Sequence, residues 1–150
     1  MLLFMFVICS CSTESIEQAN VVEAANATEV EQQLLKLVNE HRSALGFNEL
    51  NFSKVAYDHA NTHTDYMISK GAINHDNFKV RASNISSAVN AVYVSENVAK
   101  DYDSASEALQ NWLASSEHRK TIEGQFTHSA VSVKRNPNNG ELYFTHLFYR

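Results

Sequence analysis

The sequence predicts an α+β domain in which helices cover both faces of a sheet, in a three-layer α-β-α sandwich with the helices first. Two observations support this prediction. Apolar residues recur at helical spacing within 29–45, 54–70 and 104–113, and at a period of two from residue 128 onward. The last segment, residues 142–149, is apolar on both faces, which is typical of a strand covered on both sides. A length of 150 residues suits one such domain.

Three helices are predicted ahead of the strands. Each begins at a residue that can cap a helix N-terminus: Thr28, Ser53 and Ser104. The first two helices span 29–45 and 54–70 and end at glycines, Gly46 and Gly71. The caps at Thr28 and Ser104 are each followed three residues later by a glutamate, which is the capping-box pattern. The third helix runs through Trp112.

The rest of the chain is predicted to contain loops and a terminal hairpin. Residues 72–103 show no clear period, and loops with one or two helical turns near 77–83 are expected there. Two strands follow, one around Val131 and one over 142–148. The Asn-Pro-Asn-Asn-Gly segment at 136–140 joins them as a hairpin loop that places both strands in the central sheet.

The first 27 residues are predicted to precede the domain. Residues 1–8 form an apolar run that is too short for a membrane-spanning helix, which needs roughly 20 residues. The run fits a secretory signal and leads into Ile-Cys-Ser-Cys at 8–11, which resembles a bacterial lipobox. We therefore expect a signal peptide at 1–10, a lipidated Cys11 with a flexible acidic tether over 11–27, and the folded domain over 28–150. The alternative is a cytosolic protein with an apolar N-terminus and two ordinary thiols.

Charge and cysteine usage exclude several classes of protein. The formal net charge is −5 and no basic block occurs, so nucleic acid is not expected as a partner. Five acidic residues lie within 11–31, which leaves 12 acidic and 12 basic residues in the remainder. Both cysteines lie in the first 11 residues, so the domain holds neither a disulfide nor a thiolate zinc site.

No catalytic motif can be identified from the residues alone. His59 and His63 have the spacing of a metalloprotease helix, but that motif needs glutamate directly after the first histidine, and Ala60 stands there. Two partly buried polar side chains at a helix interface are the better interpretation. No glycine-flanked serine or phosphate-binding glycine loop is present in the sequence.

Five short segments, in this order and spacing, resemble the CAP superfamily of cysteine-rich secretory, antigen five and pathogenesis-related proteins. The resemblance covers about residues 30–150 and is nearest to the bacterial single-domain SCP-like branch. The segments are Asn39 to Gly46, Gly71 to Arg81, Ser95 to Ala99, Trp112 to Arg119, and the strand pair that contains Phe126 to Val131 and Tyr143 to Phe148.

This resemblance implies a central cleft, which in many members holds two histidines and two glutamates that can bind a divalent metal. His75 matches the first histidine, and Glu96 matches the glutamate of the Glu-Asn motif. Ser115 stands where the second glutamate is expected. His118 is the nearest counterpart of the last histidine, and His146 falls where bacterial relatives commonly have glutamine.

Two interpretations of this partial set stay open. His75, Glu96 and His118 could ligate zinc and leave a position open for water, although no cofactor is required. Alternatively, they form a buried hydrogen-bond cluster in which Glu96 bridges imidazoles and backbone amides. Arg119 is a further cleft candidate that could pair with Glu96 or Glu117, or be solvated.

The expected function is that of a lipid-anchored bacterial envelope protein. Its CAP domain is expected to bind a lipid, cell-wall or protein ligand through the cleft or surface, without enzyme activity. The competing function is a metal-dependent hydrolase or protease that acts on peptide or cell-wall material. A structural surface protein with a vestigial cleft is the third possibility.

Overall fold

The computed structural model describes residues 24–150, and these form helices on both sides of one sheet. The signal peptide predicted at 1–10, the predicted lipidation of Cys11 and most of the predicted tether lie outside these residues. The elements in chain order are α1 (Thr28–Ala44), β1 (Asn51–Phe52), α2 (Lys54–Lys70), α3 (Phe78–Val89), β2 (Val94–Lys100), α4 (Ala105–Ala114), α5 (Ser116–Ile122), β3 (His128–Arg135) and β4 (Leu142–Tyr149).

The strands form one mixed sheet in the order β1-β3-β4-β2, in which β1 runs parallel to β3 and the other neighbours are antiparallel. All eight residues of β4 are buried, as the double-faced apolar pattern predicts. Side chains alternate along β4, so Phe144 and Phe148 pack with α1 and α4, whereas Leu147 packs with α2 and α3. The α+β class and the three-layer arrangement are confirmed.

Local signals for helix ends are confirmed at three positions. The hydroxyl oxygen of Ser53 accepts a hydrogen bond from the backbone N–H of Ala56 at 3.2 Å, and Gly71 ends α2 in the left-handed conformation with φ 65°. The hydroxyl oxygen of Ser104 likewise accepts from Glu107 N–H at 3.2 Å. These contacts lie within a few residues of each other, so local sequence suffices to specify them.

The capping box predicted at Thr28 is wrong. Thr28 is the first helical residue, and the capping position is Ala27, where no side chain caps the helix. The carboxylate of Glu31 is buried and accepts a hydrogen bond from the backbone N–H of Val133 in β3 at 2.9 Å. A tertiary hydrogen bond therefore replaces the local one that the pattern predicted.

The region over 72–103 contains more regular structure than predicted. The helix α3 has 12 residues and is bounded by Asn77 and Asn90, both with positive φ, which asparagine tolerates better than most residues. The strand β2 was not predicted, because Ser95, Glu96 and Asn97 at its centre have no strand preference. Its seven residues become a strand by pairing along β4. The short helix α5 was also not predicted.

The last residues of the predicted tether belong to the domain. Ala27 N–H donates to Val133 O at 2.8 Å, and Arg135 N–H donates to Ala25 O at 3.1 Å. The side-chain amide of Asn26 donates to Glu31 and Asn61 at 2.6 Å each. Residues 25–27 thus cover part of the outer edge of β3 and are part of the folded domain. No helix within 24–150 is long and apolar enough to cross a membrane.

Candidate functional site

The candidate site is centred on Glu96, whose carboxylate is held inside the protein. Glu96 lies on the edge strand β2 opposite Leu147 of β4, so its side chain projects toward the α2 and α3 face of the sheet. Only 1% of the side chain is exposed. A buried carboxylate is strongly unfavourable unless it is paired, so its partners define the site.

Arg81 on α3 is the main partner of this carboxylate. Its Nε donates to Oε2 at 2.9 Å and its Nη2 donates to Oε1 at 2.8 Å, which is a bidentate pairing. The remaining nitrogen, Nη1, donates to the backbone carbonyl of Asp76 at 2.6 Å. The Arg81 side chain is itself only 9% exposed. The pair is therefore charge-balanced and fixed in orientation by the start of α3.

His75 connects the buried pair to the surface. It lies in the loop between α2 and α3, and its Nδ1 is 2.8 Å from Oε1 of Glu96. Because Glu96 is paired with a guanidinium as a carboxylate, the proton of this hydrogen bond lies on Nδ1. In the neutral ring Nε2 then remains an acceptor. The His75 side chain is 53% exposed, so it is the accessible group of the cluster.

His63 on α2 completes what we call the Glu96 cluster: Glu96, Arg81, His75 and His63. Its Nε2 donates to the backbone carbonyl of Asn74 at 2.8 Å and lies 3.8 Å from Oε1 of Glu96. Burial lowers the pKa of His63, and the nearby Glu96 charge opposes this effect only in part. His63 is therefore a neutral donor that fixes the loop carrying His75.

His118 does not join this hydrogen-bonded cluster. Asn97, the neighbour of Glu96, points to the opposite face of β2, and its amide donates to the backbone carbonyl of His118 at 3.1 Å. The His118 ring packs near Trp112, with ring centroids 6.4 Å apart. Burial lowers the pKa of His118, and the neighbouring His75 lowers it further. The alternation of side chains along β2 explains why adjacent motif residues serve different faces.

Three alternatives were open for Arg119, and pairing with Glu96 is excluded because Arg81 bonds to both carboxylate oxygens. Arg119 is exposed on α5 and forms no salt bridge with any residue of the described part of the chain. Of the alternatives for Arg119, the solvated one holds.

The residues around Glu96 do not fit zinc. Between residues 24 and 150, no group of three His, Cys, Asp or Glu side chains is arranged to hold a metal ion. Both oxygens of Glu96 already accept hydrogen bonds from the Arg81 guanidinium. A metal cation would have to displace that like-charged group from a buried position. Of the two interpretations of the partial set, these contacts favour the buried hydrogen-bond cluster for His75 and Glu96, without His118.

His146 lies in the core rather than in a cleft, which corrects its placement among the cleft candidates. It is fully buried on β4, beside Trp112 and Phe148 at ring-centroid distances of 5.9 and 3.9 Å. Neither ring nitrogen has a hydrogen-bond partner within residues 24–150. Burial, and to a lesser extent the charge of Arg42, lower the pKa of His146 to about 3. The ring is therefore neutral at ordinary pH.

A groove between α2 and α3 opens beside the cluster. It has a volume of about 360 Å³, and His63 and Arg81 contribute to its lining. Tyr66 and Asp76 line it as well and are joined by a hydrogen bond of 2.8 Å. We call this feature the α2–α3 groove. It lies within the size range of small-molecule sites.

The hydrogen bonds of the Glu96 cluster limit the chemistry that its side chains can perform. The Glu96 carboxylate is fully engaged and cannot serve as a free base. His75 has an outward nitrogen, but its one side-chain hydrogen bond within residues 24–150 is to Glu96, and no hydroxyl or thiol there is bonded to it. Within the described residues, His75 therefore has no bonded hydroxyl or thiol to activate as a nucleophile.

Sequence reasoning missed the roles of Arg81 and His63. A signal for Arg81 exists: it shares a helix face with Phe78 and Ile85, which lie three residues before and four residues after it. Ile85 is fully buried and Phe78 is half-buried, so the charged residue between them is buried as well. A buried arginine requires an anionic or carbonyl partner.

The fold is similar to three bacterial structures. An outer surface protein from Borrelia burgdorferi superposes with a TM-score of 0.76 at 16% identity, covering 85% of this chain and 97% of that one. An extracellular protein containing an SCP domain, from Bacillus anthracis strain Ames, gives 0.69 at 25%, covering 82% and 41%. A cysteine-rich secretory protein from Staphylococcus aureus strain Mu50 gives 0.69 at 17%, covering 90% and 40%.

The chain therefore spans about two fifths of the length of the latter two proteins, and nearly all of the first. A search of curated protein sequences found no match. The family model of the cysteine-rich secretory proteins, named CAP, matches residues 35–148, which include every member of the Glu96 cluster. This chain belongs to the CAP family.

Proposed function

We propose that this chain is a lipid-anchored bacterial envelope protein that binds a lipid, cell-wall or protein ligand beside the Glu96 cluster and does not hydrolyse it. The observation that carries the proposal is the bidentate bond between Arg81 and Glu96. This buried pair holds α3 against β2 and presents His75 at the surface in one orientation. A rigid site of this kind favours binding because little ordering is left to occur in the complex.

The α2–α3 groove is the place where we expect the ligand. His63 and Arg81 line it from the cluster, while Tyr66 adds an aromatic ring and Asp76 a carboxylate. The His63 and Tyr66 rings are stacked, with centroids 5.9 Å apart. A few fixed polar groups beside an aromatic surface are typical of small-ligand sites.

The envelope location rests on two further observations. The Ile-Cys-Ser-Cys segment at 8–11 supports acylation of Cys11 after removal of residues 1–10. The similar proteins are described as an outer surface protein and as extracellular or secretory proteins. Both observations agree with a domain that works outside the cytoplasm.

Binding is tested by NMR titration of the protein with muropeptides, phospholipid vesicles and a peptide mixture, each added separately. We expect one of these to shift the signals of His63, Tyr66 and Arg81. Tyr66→Ala should remove the response, whereas Phe52→Ala, at an exposed ring outside the groove, should keep it. Unchanged signals of His63, Tyr66 and Arg81 in all three titrations, or shifts of these signals that survive Tyr66→Ala, contradict the proposed site.

A hydrolase is the second candidate, and one observation favours it. The hydrogen bond from His75 Nδ1 to a buried carboxylate is the arrangement that orients a general base in hydrolytic triads. We expect no hydrolysis of casein, peptidoglycan or simple esters above buffer, with or without zinc, because no hydroxyl or thiol of residues 24–150 is bonded to His75. Turnover that disappears in both His75→Ala and Glu96→Ala would establish the hydrolase instead.

A further inference from the structure

A second pocket lies on the opposite face of β2 from the Glu96 cluster. It has a volume of about 400 Å³ and is formed by α5, the start of β2, and the end of the chain. Glu117, Lys120 and Thr121 line it from α5 at spacings of three and four residues, so they share one helix face. Ser95 lines it from β2 and precedes Glu96, so alternation places the two side chains on opposite faces. We call this feature the α5 pocket.

Two exposed cationic side chains line the α5 pocket. Lys120 and Arg150 both contribute to its lining, and both are exposed. Neither forms a salt bridge within residues 24–150. Glu117 is the one carboxylate side chain in the lining. The pocket therefore offers positive side chains that are available to an anionic group.

An aromatic surface stands beside these cations. Tyr93 is 54% exposed and stacks on Phe126 with ring centroids 5.7 Å apart and an interplanar angle of 15°. The Arg150 guanidinium lies 5.7 Å from the centroid of the Tyr93 ring. Gly124 permits this arrangement, because a Cβ added there would lie 2.6 Å from the Phe126 ring.

Hydrogen-bonding side chains complete the lining. The hydroxyl oxygens of Ser95 and Thr121 are 3.3 Å apart, and Gln125 adds an exposed amide. Hydroxyls and amides both donate and accept, so they suit a ligand that carries several hydroxyl groups. An acyl chain cannot form hydrogen bonds with these groups. It would also displace water from them, which costs free energy.

We propose that the α5 pocket binds a sugar that carries a carboxylate or phosphate group. Lys120 and Arg150 pair with the anionic group, and the exposed ring of Tyr93 packs against the apolar face of the sugar. Ser95, Thr121 and Gln125 bond to the sugar hydroxyls. Glu117 opposes the anion and limits the affinity. The proposal is independent of the α2–α3 groove, since the two share no lining residue.

The test is NMR titration of the full protein with three matched sugars: glucuronate, glucose 1-phosphate and neutral glucose. We expect one or both acidic sugars to shift the backbone signals of Tyr93, Lys120 and Thr121. Glucose should bind about 10-fold more weakly, as expected for the loss of a charge-assisted hydrogen bond. Comparison of the two acidic sugars shows which anionic group is preferred. Sodium acetate serves as an anion without a sugar ring.

Variants at exposed positions sharpen the test without threatening the fold. Lys120→Gln should weaken binding about 10-fold, and Glu117→Gln should strengthen it. Tyr93→Ala should weaken the sugars but not acetate. Lys79→Gln, which removes an exposed lysine from α3, is the control and should change nothing. Binding of neither acidic sugar more tightly than glucose, binding of acetate as tight as that of the preferred acidic sugar, or an unaffected Lys120→Gln variant would each overturn the proposal.

Discussion

The buried imidazole of His146 should make the stability of this protein fall with acid in a predictable way. His146 is fully buried, and neither ring nitrogen is bonded within residues 24–150. The perturbation is His146→Gln, which keeps a polar side chain of similar length and removes the titrating group.

The magnitude follows from the pKa values of the two states. An unfolded histidine titrates near 6.5, whereas burial lowers the pKa of folded His146 to about 3. Between these values the unfolded chain binds a proton that the folded protein excludes. The contribution of neutral His146 to the free energy of unfolding is therefore fully present above pH 6.5 and is lost as the pH falls toward 3. The full loss is roughly 4–5 kcal/mol, and about 2 kcal/mol of it falls between pH 7.5 and pH 5.

The assay is urea-induced unfolding of the protein and of His146→Gln at pH 7.5 and pH 5. The wild-type protein should lose about 2 kcal/mol more free energy of unfolding across this interval than the variant does. Other groups titrate in both proteins, so their contributions cancel in the difference. His146→Leu repeats the comparison if the glutamine variant does not fold. Equal pH dependence in all three proteins would refute the assignment of His146 as a buried neutral group.

Three further predictions test the frame of the site, the edge of the sheet and the anchor. Arg81→Met should lower the free energy of unfolding by about 3 kcal/mol or more in urea unfolding, because it removes the cation that pairs with a buried carboxylate. Adding Glu96→Gln to this variant should restore part of the loss. A cost below about 1 kcal/mol for Arg81→Met would contradict the structural role of the Arg81–Glu96 pair. Asn26→Ala should cost about 1–2 kcal/mol, whereas the exposed control Asn84→Ala should stay within about 0.5 kcal/mol; equal costs would mean that residues 25–27 contribute nothing. Intact-mass analysis of the membrane fraction should show loss of residues 1–10 and an acylated Cys11, and a soluble chain that keeps Met1 would exclude the anchor.

The candidate site could be predicted only in part. The resemblance to CAP motifs was enough to select His75 and Glu96, which the structure places 2.8 Å apart. They did not reveal that Arg81 neutralises Glu96, because a carboxylate pairs with whichever cation the packed helices bring near. His118 was assigned to the same set from motif order, yet its backbone is held on the other face of β2. Motif order does not tell which face of a strand a residue serves.

Features that depend on residues close together in the chain could be predicted from the sequence. The serine caps of α2 and α4, the left-handed Gly71 and the doubly apolar strand β4 are each specified within one segment. Their energies come from contacts a few residues apart, so a local pattern identifies them.

Features that depend on distant partners arise only when the helices and strands pack together. The strand β2 has a polar centre and forms because β4, about fifty residues further along the chain, supplies its hydrogen bonds. Glu31 does not form the predicted capping bond, because its carboxylate accepts a hydrogen bond from the buried backbone N–H of Val133 on β3. Arg81 pairs with Glu96 because α3 packs against β2. In each case a hydrogen bond between distant groups replaces a local one. Packing excludes water from the distant bond, which strengthens it relative to the local alternative.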